Sequence, residues 1–105
     1  MSDQPEVRRI VDLVSYQEGA VVSRIVIKRE SGNVTLFAFD AGQELSEHTA
    51  PFDALVQVLE GEAAITVAGG LHRVGGGEML LSPAHQPHAL KALSRFKMLL
   101  TMIRS

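Results

Sequence analysis

From residue 21 to its end the chain is cut into short apolar runs, each bounded by Gly, Pro, Asn or Asp, and this rhythm limits what it can fold into more than any other feature. Even spacing of short apolar runs between turn residues is the pattern of an antiparallel sandwich or barrel. Strands are expected near residues 21–29, 33–40, 44–49, 54–60, 62–68, 71–75, 78–82, 87–93 and 95–104. No helix of ordinary length fits between them, so the fold class is all-β.

The alternation is clearest in NVTLFAFDAG, where Val34, Leu36 and Ala38 share one face and Thr35, Phe37 and Phe39 share the other. Both faces are apolar. A sheet of that kind belongs in two layers with its outer face covered as well, and a second subunit is the expected cover. In the last run, RFKMLLTMIR, Phe96, Met98, Leu100 and Met102 fall on one side, where methionine serves as core filler. Phe37, Phe39, Phe52 and Phe96 are expected in the core or as pocket wall, where aromatic rings bury most area. Ala68–Gly70 supplies a tight hairpin, and Gly75–Gly77 lets the backbone reach left-handed angles before EMLLSP.

A chain of 105 residues holds one domain with a single core. Residues 21–105 are read as the barrel domain and residues 1–20 as an N-terminal extension. In that extension Val7, Ile10, Val11 and Val14 have weak helical periodicity but are β-branched, which fits either a short turn of helix or an added edge strand.

The charge balance of 10 Lys and Arg against 12 Asp and Glu gives no electrostatic footprint for nucleic acid. The sequence has no cysteine, so any metal would be held by His, Asp, Glu or water. Neither a signal-peptide pattern in MSDQPEVRRI nor an apolar run of spanning length occurs, and a cytoplasmic location without membrane contact is expected. The lack of cysteine also rules out a thiol nucleophile, and no glycine-framed serine or phosphate loop is present.

Two stretches carry a resemblance. In the first, Gly42 is followed by His48, Ala50, Ala54 and Gly61; in the second, Gly77 is followed by Pro83, His85, His88 and Ala92. Their spacing resembles the paired motifs of the cupin superfamily, and the order of VLEGE, SPA and PHAL is similar to that of small single-domain cupins. The resemblance implies a cupin barrel, a jelly-roll or double-stranded β-helix, and a homodimer. In metal-binding cupins the first motif offers two histidines and a carboxylate and the second one more histidine. The matching positions here are His48, Ala50, Ala54 and His88.

The resemblance therefore implies a site centred on His48 and His88, either a pocket for a small-molecule ligand or a weak centre for a divalent metal such as Zn, Ni, Fe or Mn. With metal, dioxygenase or isomerase chemistry is the implied alternative to simple binding. Gln57 is a further candidate to line the pocket, as a hydrogen-bond donor to a ligand. Asp53 is expected in the APFDA turn, bonding local backbone rather than swinging inward. His85 takes a turn position that usually favours glycine, and histidine is among the residues that tolerate positive φ. His72 is read as surface, and Tyr16 as a packing or interface residue.

Overall fold

In the computed structural model, which describes residues 5–105, nine strands carry the chain. They are β1 (Val21–Arg29), β2 (Gly32–Phe39), β3 (Glu44–His48), β4 (Phe52–Glu60), β5 (Glu62–Val67), β6 (Gly70–Gly75), β7 (Met79–Ser82), β8 (His88–Ala92) and β9 (Phe96–Arg104). Each expected strand is present with its ends displaced by no more than two residues. Two antiparallel sheets result, one of order β1-β2-β9-β4-β7 and one of order β3-β8-β5-β6.

The core lies between the sheets. Phe39, Val56, Val58, Phe96 and Met98 from the five-stranded sheet meet Ala63, Ile65, Val74, Leu90 and Ala92 from the four-stranded one. Phe39 and Phe96 are opposite each other on β2 and β9, fully buried, with rings stacked at 4.7 Å. Burying side chains of this size stabilises the fold by about 1.5–3 kcal/mol each.

The outer face of the five-stranded sheet is covered at one end by the chain itself. Val14 is buried against Leu36 and Ala38, with Leu13 and Tyr16 beside it. At this end of the sheet the expected cover is supplied by residues 13–16 of the chain itself. They arrive through a short 3-10 turn, Ile10–Asp12, and polar contacts fix them there. Arg24 donates to the Leu13 carbonyl at 3.2 Å, Lys97 to the Val11 carbonyl at 2.5 Å, and the Tyr16 hydroxyl to Glu60 at 2.6 Å.

Two loops at one end of the barrel, residues 49–51 and 83–87, are tied together. The His85 amide donates to the Ala50 carbonyl at 2.9 Å, and the Ala84 amide donates to Asp53 Oδ1 at 2.9 Å. His85 holds φ at 67°, the left-handed angle expected of its glycine-like position. Asp53 is the second residue of β4 rather than part of the turn, and from there it bonds the other loop instead of its own backbone.

Candidate functional site

His48 ends β3 and His88 begins β8, and the two are directly paired across the four-stranded sheet. Their rings meet edge to face with centroids 4.2 Å apart. A β-bulge makes this possible. Leu45 pairs with Leu90, so a regular ladder would place the partner of His88 two residues further on β3, at residue 47. The extra residue between Leu45 and His48 lets both side chains occupy the inner face, since a bulge sets two residues against one and re-aims the side chain beyond it.

Each imidazole is fixed by its own strand end. His48 Nδ1 lies 3.0 Å from the Ser46 carbonyl oxygen and His88 Nδ1 lies 3.2 Å from the Gln86 carbonyl oxygen. A carbonyl oxygen can only accept, so both Nδ1 atoms carry the hydrogen. In the neutral ring Nε2 is then left with its lone pair, the arrangement used when histidine accepts a hydrogen bond or ligates a metal. His48 is exposed and His88 half-buried, so the pair stands at an open end of the barrel.

Ala54, at another of the motif positions, is buried on the inner face of β4 and pairs with Ser82 on β7 and Met102 on β9. Ser82 is the polar residue that sequence reasoning missed. It is 2% exposed, and its hydroxyl has no hydrogen-bond partner. The signal was its parity with inward Leu80, two residues earlier on a short strand. An unpaired buried hydroxyl costs about 1–3 kcal/mol, and this one lies across the β4–β7 pairing from the motif position Ala54.

Gln57 requires a correction. It is exposed and alternates with buried Val56 and Val58, so its amide faces the outside of the five-stranded sheet and not the face that carries the histidines. Glu44 and Glu47 are also exposed, and Glu44 pairs with Lys91 at 3.9 Å. His72 lies exposed on β6, as expected.

The donor set for a resident metal is incomplete. Among the described residues, no group of three or more His, Asp or Glu converges on one point. His48 and His88 supply two neutral nitrogens, while Ala54 supplies none and Asp53 is committed to the Ala84 amide. Divalent transition metals are usually held by three or four protein ligands, so these residues do not fit a tightly held ion.

Two antiparallel sheets packed face to face, with a histidine pair at one open end, define a small all-β barrel of the jelly-roll class. The chain belongs to the cupin family, whose domain model matches residues 35–104. It is similar to the structure of a conserved protein of unknown function from Streptococcus pyogenes, at 34% identity and TM-score 0.94, over 99% of this chain and 91% of that one. A cupin superfamily protein from Desulfitobacterium hafniense is 29% identical with TM-score 0.91, over 99% of this chain and 97% of that one. A cupin 2 conserved barrel domain protein from Leptotrichia buccalis is 39% identical with TM-score 0.87, over 90% of this chain and 46% of that protein. No curated protein matches the chain.

Proposed function

We propose that this cupin binds a small molecule at the open end of its barrel, with His48 and His88 orienting the ligand. The observation that carries the reading is the ring pair itself. Two imidazoles are brought within 4.2 Å by a bulge, and each is locked in the same tautomer by a backbone carbonyl. A packing role alone would not require the same ring nitrogen of both histidines to be held by a backbone carbonyl. Val67, the partner of His88 on β5, and buried Leu90, next on the same face of β8, are apolar, as the walls of most small-molecule sites are.

The family's metal-dependent chemistry, dioxygenase or isomerase, is the competing reading, and the two missing donors weigh against it. Elemental analysis after exposure to zinc, nickel, iron and manganese separates the two. Binding without metal predicts much less than one ion per chain after desalting. One ion per chain, lost in His88→Ala, would replace this reading with the metal-dependent one.

A homodimer is part of the proposal. On the outer face of the five-stranded sheet Ile27, Met79, Leu81 and Ile103 are exposed, beyond the end covered by residues 13–16. An apolar surface of that extent is the kind that association buries. Sedimentation equilibrium is expected to give twice the chain mass, and Leu81→Glu to give the monomer.

A further inference from the structure

We infer that the ligand at this site is a small organic anion, its carboxylate held by Arg104 on the wall of the barrel that faces the histidine pair. The inference rests on the proposal that His48 and His88 form a ligand site, and it names the charge of what the site selects.

Three observations carry it. The first is the charge on the inner face. Followed through the strand pairings, the register that holds Phe39, Val56, Leu90 and Ala92 also holds Lys28 and Arg104, and among the described residues no Asp or Glu falls on it. Lys28 pairs with Asn33 and Asn33 with Met102, one row in from the pair of Arg104 with Phe52. Both cations therefore stand at the same end of the five-stranded sheet. Glu30 and Glu47, the nearest acids along the chain, are exposed in the β1–β2 turn and in the β3 bulge.

The second observation is where Arg104 stands. His48 ends β3 and Phe52 begins β4, so residues 49–51 cross directly from one sheet to the other. Arg104 is the cross-strand partner of Phe52, with its guanidinium carbon 5.1 Å from the centre of the Phe52 ring. The Ser105 amide donates to the Pro51 carbonyl at 2.9 Å and the His85 amide to the Ala50 carbonyl at 2.9 Å, which ties the end of β9 and the loop before His88 to the same crossing. Sheets packed face to face lie about 10 Å apart, and side chains entering from both walls narrow that gap to the length of a small molecule.

The third is that Arg104 is uncommitted. Its side chain makes no ion pair among the described residues, whereas Arg73 and Lys91, on the outer register of the four-stranded sheet, are paired with Glu62 and Glu44. A guanidinium resting on an aromatic face keeps its N–H groups for a partner, and a carboxylate matches that fork with two parallel hydrogen bonds. The charged end of the ligand then meets Arg104, with Lys28 adding to the field. Its far end meets the Nε2 acceptors of the neutral rings, which a hydroxyl or amide hydrogen satisfies.

The test uses the full chain at neutral pH with two hydroxycarboxylates, lactate and 4-hydroxybenzoate, and with their uncharged amides, lactamide and 4-hydroxybenzamide. Carbon-bound ring protons of His48 and His88 and the Nε–H group of Arg104 are followed by NMR. The expected result is that a carboxylate moves the ring and Arg104 signals with one dissociation constant, about ten-fold tighter than its amide. Arg104→Gln is expected to erase that advantage without changing the affinity of the amide, and Arg104→Lys, which keeps the charge but not the fork, to retain part of it. Arg29→Gln removes the cation that shares a surface concavity with Arg104 but lies on the outer register, and it should change neither affinity. An amide binding as tightly as its carboxylate, an advantage that survives Arg104→Gln, or one that is lost in Arg29→Gln would overturn the inference. Rings that answer an amide only would overturn it with the site retained, and silence of both rings towards all four compounds would remove the site as well.

Discussion

His48 is the cross-strand partner of His88 although it stands three residues beyond Leu45, the partner of Leu90. Odd spacing on a regular strand would send the two side chains of β3 to opposite faces, and the bulge at residues 46–47 cancels that. Deleting Glu47 should therefore leave His48 on the inner face, because the spacing from Leu45 becomes two and matches the partner strand. Ring-to-ring proton contacts between His48 and His88 are expected to persist in the deletion variant, while the Ser46 carbonyl, now one residue away, no longer holds Nδ1. Loss of the ring contact would show that the bulge does more than correct parity.

Gly61 closes the turn between β4 and β5 with φ of 79° and packs its α-carbon against the start of β9. A β-carbon there would collide with the Arg95 carbonyl and come within 2.6 Å of Phe96 Cβ. Gly61→Ala is expected to cost more than about 2 kcal/mol, or to prevent folding, since neither backbone nor the buried ring can yield. Gly42 has a similar φ of 83° but open space around it, so Gly42→Ala should cost about 1 kcal/mol from backbone conformation alone. Urea denaturation of the two variants measures the difference, and equal losses would mean that close approach adds nothing at position 61.

Asp53 holds the loop after β7 through the Ala84 amide, 31 residues away in sequence. The bond needs an acceptor at that place and not a charge on a metal. Asp53→Asn should keep the loop, whereas Asp53→Ala should cost about 1 kcal/mol and speed hydrogen exchange at the Ala84 amide at least ten-fold. Because that loop leads into His88, the Ala variant should also weaken any ligand bound by the ring pair. Exchange at Ala84 unchanged in Asp53→Ala would deny the carboxylate this role.

The strands are legible in the sequence because each buried run announces itself by alternation and ends at a turn residue with a backbone reason to be there. His48 and His88 are legible by motif spacing, and their convergence comes from the pairing of β3 with β8. Gln57 misleads because its motif neighbourhood outweighs its parity with Val56 and Val58. Ser82 escapes notice because a lone serine has no spacing signature, and its interest arises only from being enclosed without a partner. The covering of Leu36 and Ala38 by residues 13–16 cannot be foreseen from a segment without regular secondary structure.

Tyr16 is the chain's single tyrosine, so absorbance at the phenolate band reports it alone. Burial pushes its hydroxyl well above the ordinary value of 10.0, and the Glu60 carboxylate raises it further by accepting its hydrogen bond and by repelling a second negative charge. Arg95, over the ring at 5.4 Å, pulls the other way. A neutral form favoured by folding contributes stability below pH 10.0 that is lost as pH rises through the folded value. Alkaline unfolding and Tyr16 ionisation should therefore be linked, with ionisation delayed until above pH 10 in the native chain. Glu60→Gln removes the repulsion but leaves the burial, so it should bring ionisation part of the way back towards pH 10. Tyr16→Phe should flatten the alkaline limb of the stability curve while losing about 1 kcal/mol at neutral pH from the missing hydrogen bond. A native chain whose tyrosine ionises near pH 10 before it unfolds would show that residues 13–16 do not hold Tyr16 against the sheet in solution.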